Sequence, residues 1–136
     1  MNTVLDGTNA VLGRLATHTA KQLLAGTSIS IVNAERIIIT GNKKQLQQKY
    51  LERRSRGSPH HGPFFPTQPH SIVKRTIRGM LPYKSHRGRE AFKRLRVYTA
   101  VPATLKDAEM ERVAVREIRT RFVSVGDLAQ SLGWKR

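Results

Sequence analysis

At 136 residues, with 38% hydrophobic and 25% charged side chains, the chain has the size and balance of one soluble domain with a real core. The absence of cysteine excludes disulfides and thiolate metal sites. No apolar run approaches a membrane span, and the N-terminus lacks the basic-then-apolar pattern of a signal peptide. A net charge of +16, from 25 Lys and Arg against 9 Asp and Glu, directs the reading toward polyanions.

Val4 and Leu5 make a short apolar start, followed by the turn cluster Asp6-Gly7-Thr8-Asn9. Leu12, Leu15, Ala16, Thr19, Ala20, Leu23 and Leu24 then recur at three- and four-residue spacing, which predicts a helix that stops at Gly26. The β-branched runs Ile29, Ile31, Val32 and Ile37, Ile38, Ile39 read as buried strands. Strand, helix and strand in this order predict a βαβ unit and an α/β fold with a parallel sheet. From Thr40 to about Arg54 the pattern is helical but polar, with only Leu46, Tyr50 and Leu51 to form an apolar stripe.

Residues Gly57 to His70 hold Pro59, Pro63, Pro66 and Pro69 and predict an extended loop, ordered because Phe64 and Phe65 want burial. Ser71 to Leu81 reads as a short amphipathic helix ended by Pro82. Ile72, Val73, Thr76, Ile77, Met80 and Leu81 fill one half of it, and Lys74, Arg75 and Arg78 the other. Gly88 to Arg96 is a second basic helix with Ala91, Phe92 and Leu95 inward, and Val97 to Val101 a strand. Weaker strand signals lie at Val113, Val115 and Ile118 and at Phe122, Val123 and Val125. Ser124 and Asp127 match an acidic variant of the capping box and predict a closing helix through Leu128, Ala129 and Leu132 to Gly133.

The charge is concentrated between Lys43 and Arg96. Fifteen Lys and Arg there face only Glu52 and Glu90, so this segment carries +13 of the net +16. Without internal acidic partners, such a segment calls for an external polyanion, and nucleic acid supplies affinity through phosphate neutralisation and counterion release. The candidate RNA-binding residues are Lys43, Lys44, Lys49, Arg53, Arg54, Arg56, Lys74, Arg75, Arg78, Lys84, Arg87, Arg89, Lys93 and Arg94. The run Arg78 to Arg89 is densest. There Gly79 and Gly88 would admit a sugar-phosphate backbone, and Tyr83 and Ser85 can donate to phosphate. An aromatic content of 6% argues against a protein built mainly on base stacking.

Competing chemistries find less support. His60, His61, His70 and His86 could form an acid–base pair, but Glu90 is their one nearby carboxylate, and no metal-ligand spacing is present. Neither glycine-rich phosphate-loop pattern occurs. The residues therefore offer no catalytic set, no metal site and no support for nucleotide hydrolysis. The amphipathic stretches are too short, and too interrupted by Gly and Pro, for a membrane surface.

Several segments resemble the large-subunit ribosomal protein L-thirteen family in its archaeal and eukaryotic form. They are Leu12-Gly13-Arg14-Leu15-Ala16, Val32-Asn33-Ala34-Glu35, Ile39-Thr40-Gly41, Arg75 to Lys84, Arg94 to Tyr98, Gly126 to Ala129 and Gly133-Trp134-Lys135. The likeness covers nearly the whole chain and is most specific in the central block. It implies a three-layer α/β/α sandwich around a small, mainly parallel sheet, with residues 1–136 as a single rRNA-binding domain. It also implies a structural role in the cytoplasmic ribosome, binding large-subunit rRNA during assembly beside other ribosomal proteins, with no reaction, no cofactor and no small-molecule substrate. The Pro-rich loop, and a sequence that stops soon after Trp134 without the long eukaryotic extension, favour an archaeal source. An RNA-processing enzyme and a free regulatory RNA-binding protein are the alternatives.

Overall fold

The structure, a computed structural model, describes residues 2–113 and 117–135. Its centre is a four-stranded, all-parallel sheet in the order β4-β2-β1-β5, formed by β1 (Asn2–Asp6), β2 (Ser28–Val32), β4 (Leu95–Val97) and β5 (Met110–Arg112). Neighbouring residues point to opposite faces of a strand. Val4 and Leu5 on β1, and Ile29, Ser30, Ile31 and Val32 on β2, are all buried. Both faces of the sheet are therefore covered, as an α/β sandwich requires. The outer strands end differently, with exposed charge at Arg96 on β4 and at Glu111 and Arg112 on β5.

The first helix, α1 (Leu12–Leu24), forms as its spacing predicts and buries Leu12, Leu15, Ala16, Thr19, Ala20 and Leu23. Gly26 ends it at φ +103°. Its N–H bonds to the Leu23 carbonyl at 3.1 Å, and the Thr27 N–H bonds to the Gln22 carbonyl at 3.2 Å. These two bonds are the paired closure of a Schellman motif, and the positive φ is why glycine stands there.

The isoleucine run becomes β3 (Ile38–Thr40), but outside the parallel sheet. It pairs antiparallel with β6 (Phe122–Ser124) in a separate two-stranded ribbon. The polar helix α2 (Lys43–Ser55) starts three residues later than its pattern suggests, because the Asn42 side chain caps it by accepting from the Lys44 N–H at 3.0 Å. Its predicted apolar stripe is narrower than expected. Tyr50 is buried, but Leu51 is exposed.

Helix α3 (Pro69–Gly79) begins two residues before the predicted Ser71, because Pro69 occupies its first turn. There the fixed φ of proline suits a helix and its missing N–H costs nothing. Ile72, Val73 and Ile77 are buried, as is Leu81 just beyond the helix, while Met80 is exposed. Helix α4 (His86–Lys93) likewise begins early, since Ser85 caps it by accepting from the Gly88 N–H at 3.2 Å. It also ends early, because Leu95 to Val97 leave to pair with β2 and displace the predicted Val97–Val101 strand toward the N-terminus.

The Val113 and Ile118 signals do not become strands. Strand β5 lies just before Val113, and Val115 is outside the described residues. Val125 opens α5 (Val125–Ser131) instead of extending β6, because Ser124 accepts from the Asp127 N–H at 3.1 Å. One contiguous apolar cluster joins Leu5, α1, the sheet, α3 and Ala91 to Val123, Val125, Leu128 and Leu132.

Candidate nucleic-acid interface

Helices α3 and α4 are joined by a tight turn through Leu81 and Pro82, and the turn sets their spacing. Gly88 is buried on α4, and a Cβ there would overlap the Pro82 carbonyl and lie 2.8 Å from the Tyr83 nitrogen. This glycine therefore serves helix packing, not the approach of a sugar-phosphate chain. Ser85 is committed too. Its hydroxyl donates to the Pro82 carbonyl at 2.8 Å while accepting from Gly88. Of the two glycines in this stretch, Gly79 keeps open space where a Cβ would stand.

This packing leaves a groove of about 710 Å³ between α3, the turn and α4. Lys74, Arg75, Arg78, Lys84, Arg89 and Lys93 line it, together with Tyr83, Phe92 and Pro66. Two of these cations stack on its rings. The Arg78 guanidinium lies 4.2 Å from the Tyr83 ring centre, and the Lys74 ammonium 5.1 Å from that of Phe92. Such stacking holds the charges at fixed positions without neutralising them. Arg87, also on α4, is exposed but does not line the groove.

Of the predicted cations, only Lys93 has a carboxylate partner among the described residues, Glu90 at 3.1 Å. The other ion pairs, Arg36 with Glu35 and Arg112 with Asp6, lie outside the basic segment. Burial pushes the Asp6 carboxyl up. Hydrogen bonds from Thr8 and Asn33, with the Arg112 charge, outweigh that and hold it below its usual value.

The remaining predicted residues fall into three groups. Lys43 and Lys44 line a separate hollow of about 630 Å³ with Arg121 and the exposed ring of Phe122. Sequence reading missed Arg121 and Phe122 because Phe122 stood out only as a strand residue; its cationic neighbour was the available signal. Lys49 and Arg56 are exposed, on α2 and at its end. The third group works inside the fold. Arg54 donates to the Leu132 carbonyl at the C-terminal end of α5, and Arg94 to that of Leu23 in the last turn of α1. Arg53 and Arg75 clamp the Pro-rich loop. Their guanidiniums lie 6.0 and 4.7 Å from the Phe65 ring, and Arg75 also donates to the Phe64 carbonyl at 3.0 Å. Phe65 meets Tyr50 edge-on at 5.5 Å. Phe64 stays 67% exposed.

The histidines are dispersed in role. His60, His61 and His86 are exposed, whereas His70 is half-buried with Nδ1 3.3 Å from the Thr99 hydroxyl. Burial, and then the nearby Lys74 charge, pull its pKa below the usual histidine value. Among the described residues no cluster of metal-ligating side chains is present, and no helix is long and apolar enough to cross a membrane.

A parallel α/β core bearing a cation-dense, acid-poor face defines a polyanion-binding protein. The family within that class follows from comparison. The model of the family described as Ribosomal protein L13 matches residues 1–104. The chain is 47% identical to the large ribosomal subunit protein uL13 of Methanosarcina barkeri, over 98% of this chain and 99% of the relative. It is 45% identical to that of Methanopyrus kandleri, over 98% and 87%, and 44% identical to that of Methanocaldococcus jannaschii, over 98% of both. The chain belongs to the ribosomal protein L13 family.

Proposed function

We propose that this protein is a structural constituent of the large ribosomal subunit, binding and stabilising large-subunit rRNA during assembly in the cytoplasmic ribosome, and that it is not an enzyme. The observation that carries the reading is the basic segment, whose candidate cations include only one, Lys93, with a carboxylate partner among the described residues. A folded RNA supplies the missing counter-charges. The cations proposed to meet phosphate are Lys43, Lys44, Lys49, Arg56, Lys74, Arg78, Lys84, Arg87, Arg89 and Lys93. Arg53, Arg54, Arg75 and Arg94 act first on the loop and the helix ends, and so position the others. The single apolar cluster running from Leu5 to Leu132 supports one domain over the chain. Neighbouring ribosomal proteins are the second class of partner.

Sedimentation of tagged protein from a cell lysate tests the reading. Co-migration with large subunits, resistant to moderate salt, is expected. A protein found mainly in free fractions or on small subunits overturns it.

A further inference from the structure

We propose that the groove between α3 and α4 is a pocket for a single unstacked RNA nucleotide, with its base seated against Tyr83 and Phe92 and its phosphates held at the cationic rim. The inference rests on the rRNA-binding reading and names what one part of that face takes.

A surface that met only duplex backbone would be polar throughout, because phosphates gain nothing from an apolar floor. The lining of this groove mixes the cations Lys74, Lys84 and Arg89 with the rings of Phe92 and Tyr83. Its volume of about 710 Å³ falls within the span of small-molecule sites, about 300–1,000 Å³. Tyr83 remains 38% exposed although the Arg78 guanidinium lies 4.2 Å from its ring centre. A ring and a guanidinium already stacked form the start of a column that a base can extend, the arrangement by which proteins seat bases splayed from folded RNA. Charge complementarity calls for an anionic occupant, and the rings of Tyr83 and Phe92 for one that presents a flat π face. Bases within a helix stay stacked on one another and cannot enter. The low aromatic content of the whole chain is no objection, since one site needs only these two rings.

The test uses the full chain and a large-subunit rRNA transcript, with affinity measured across a series of salt concentrations and folding checked by circular dichroism. Tyr83→Leu is expected to weaken binding roughly 5- to 150-fold with the salt slope unchanged, and Tyr83→Phe to bind like the parent. Ultraviolet cross-linking of the parent complex should attach a nucleotide to the Tyr83 peptide. Three results overturn the pocket: Tyr83→Leu at parent affinity, Tyr83→Phe as weak as Tyr83→Leu, or a lower salt slope in Tyr83→Leu, which would trace the loss to a displaced Arg78. The joint variant Lys84→Glu, Arg87→Glu, Arg89→Glu separates the two levels. If it loses affinity while Tyr83→Leu does not, the pocket fails and rRNA binding stands. If neither loses affinity, the rRNA reading of this face fails as well.

Discussion

The Arg94 guanidinium donates to the Leu23 carbonyl oxygen at 2.6 Å, so a cation from the end of α4 closes the last turn of α1. The Leu23 carbonyl also accepts from the Gly26 N–H, so Arg94 takes its second lone pair, at the end of the helix where the negative pole of the dipole favours positive charge. Arg94→Gln should therefore cost about 1–3 kcal/mol in urea unfolding of the free protein. Arg89→Gln, at an exposed position with no ion-pair partner among the described residues, should stay within about 0.5 kcal/mol of the parent. Equal effects of the two changes would contradict the assignment of Arg94 to the fold.

Lys84, Arg87 and Arg89 offer a cleaner test of the RNA face than Arg75 does, because Arg75 also holds the loop. All three lie at or just before the N-terminal half of α4, where carboxylates suit the helix dipole. Reversing them to Glu should leave the circular dichroism intact. Affinity for large-subunit rRNA should fall by well over tenfold, and the salt slope by about one for each phosphate that is no longer neutralised.

Gly88 and Gly79 should respond in opposite directions to the same change. A Cβ at Gly88 meets the Pro82 carbonyl, so Gly88→Ala must push α4 off the turn, at about 1–3 kcal/mol or more. Gly79 has open space around it, and Gly79→Ala should stabilise by up to about 1 kcal/mol. Thermal unfolding of both variants measures the contrast.

His70 gives the molecule a pH dependence of known sign. Burial first, and then Lys74, lower its folded pKa below the ordinary histidine value of 6.5. In the pH range between the two values the unfolded chain binds the extra proton. The contribution is thus complete above 6.5 and is lost as pH falls toward the folded pKa. An imidazole titration by NMR should show a midpoint below 6.5. His70→Gln should flatten the loss of stability as pH falls below 6.5.

Local patterns with a strong physical signature were legible in the sequence. The spacing of α1, its stop at Gly26, the Ser124 cap and the basic face of α3 all stand where residues alone placed them. Long-range pairing was not. Nothing in Ile37-Ile38-Ile39 says that its partner is Phe122–Ser124 and not the parallel sheet. Helix starts moved where a proline or a capping serine outweighed hydrophobic period, at Pro69 and Ser85. The charge count located the basic segment, but not the division of labour within it. Arg54 and Arg94 look like Arg56 and Arg89 in sequence, and only the nearness of distant carbonyls at Leu132 and Leu23 sets them apart. The loop shows the same limit. Phe64 and Phe65 are adjacent and alike, yet only Phe65 reaches Tyr50.

The charged outer strands bear on the protein's life before it meets RNA. An open sheet edge is a template for another copy, and self-association there would remove chains from assembly. Arg96 on one flank and Glu111 with Arg112 on the other oppose that pairing with charges that a docking strand would have to desolvate. Neutralising Arg96 would remove that desolvation cost from the β4 flank, and the first symptom would be precipitation of newly made protein at concentrations the parent tolerates.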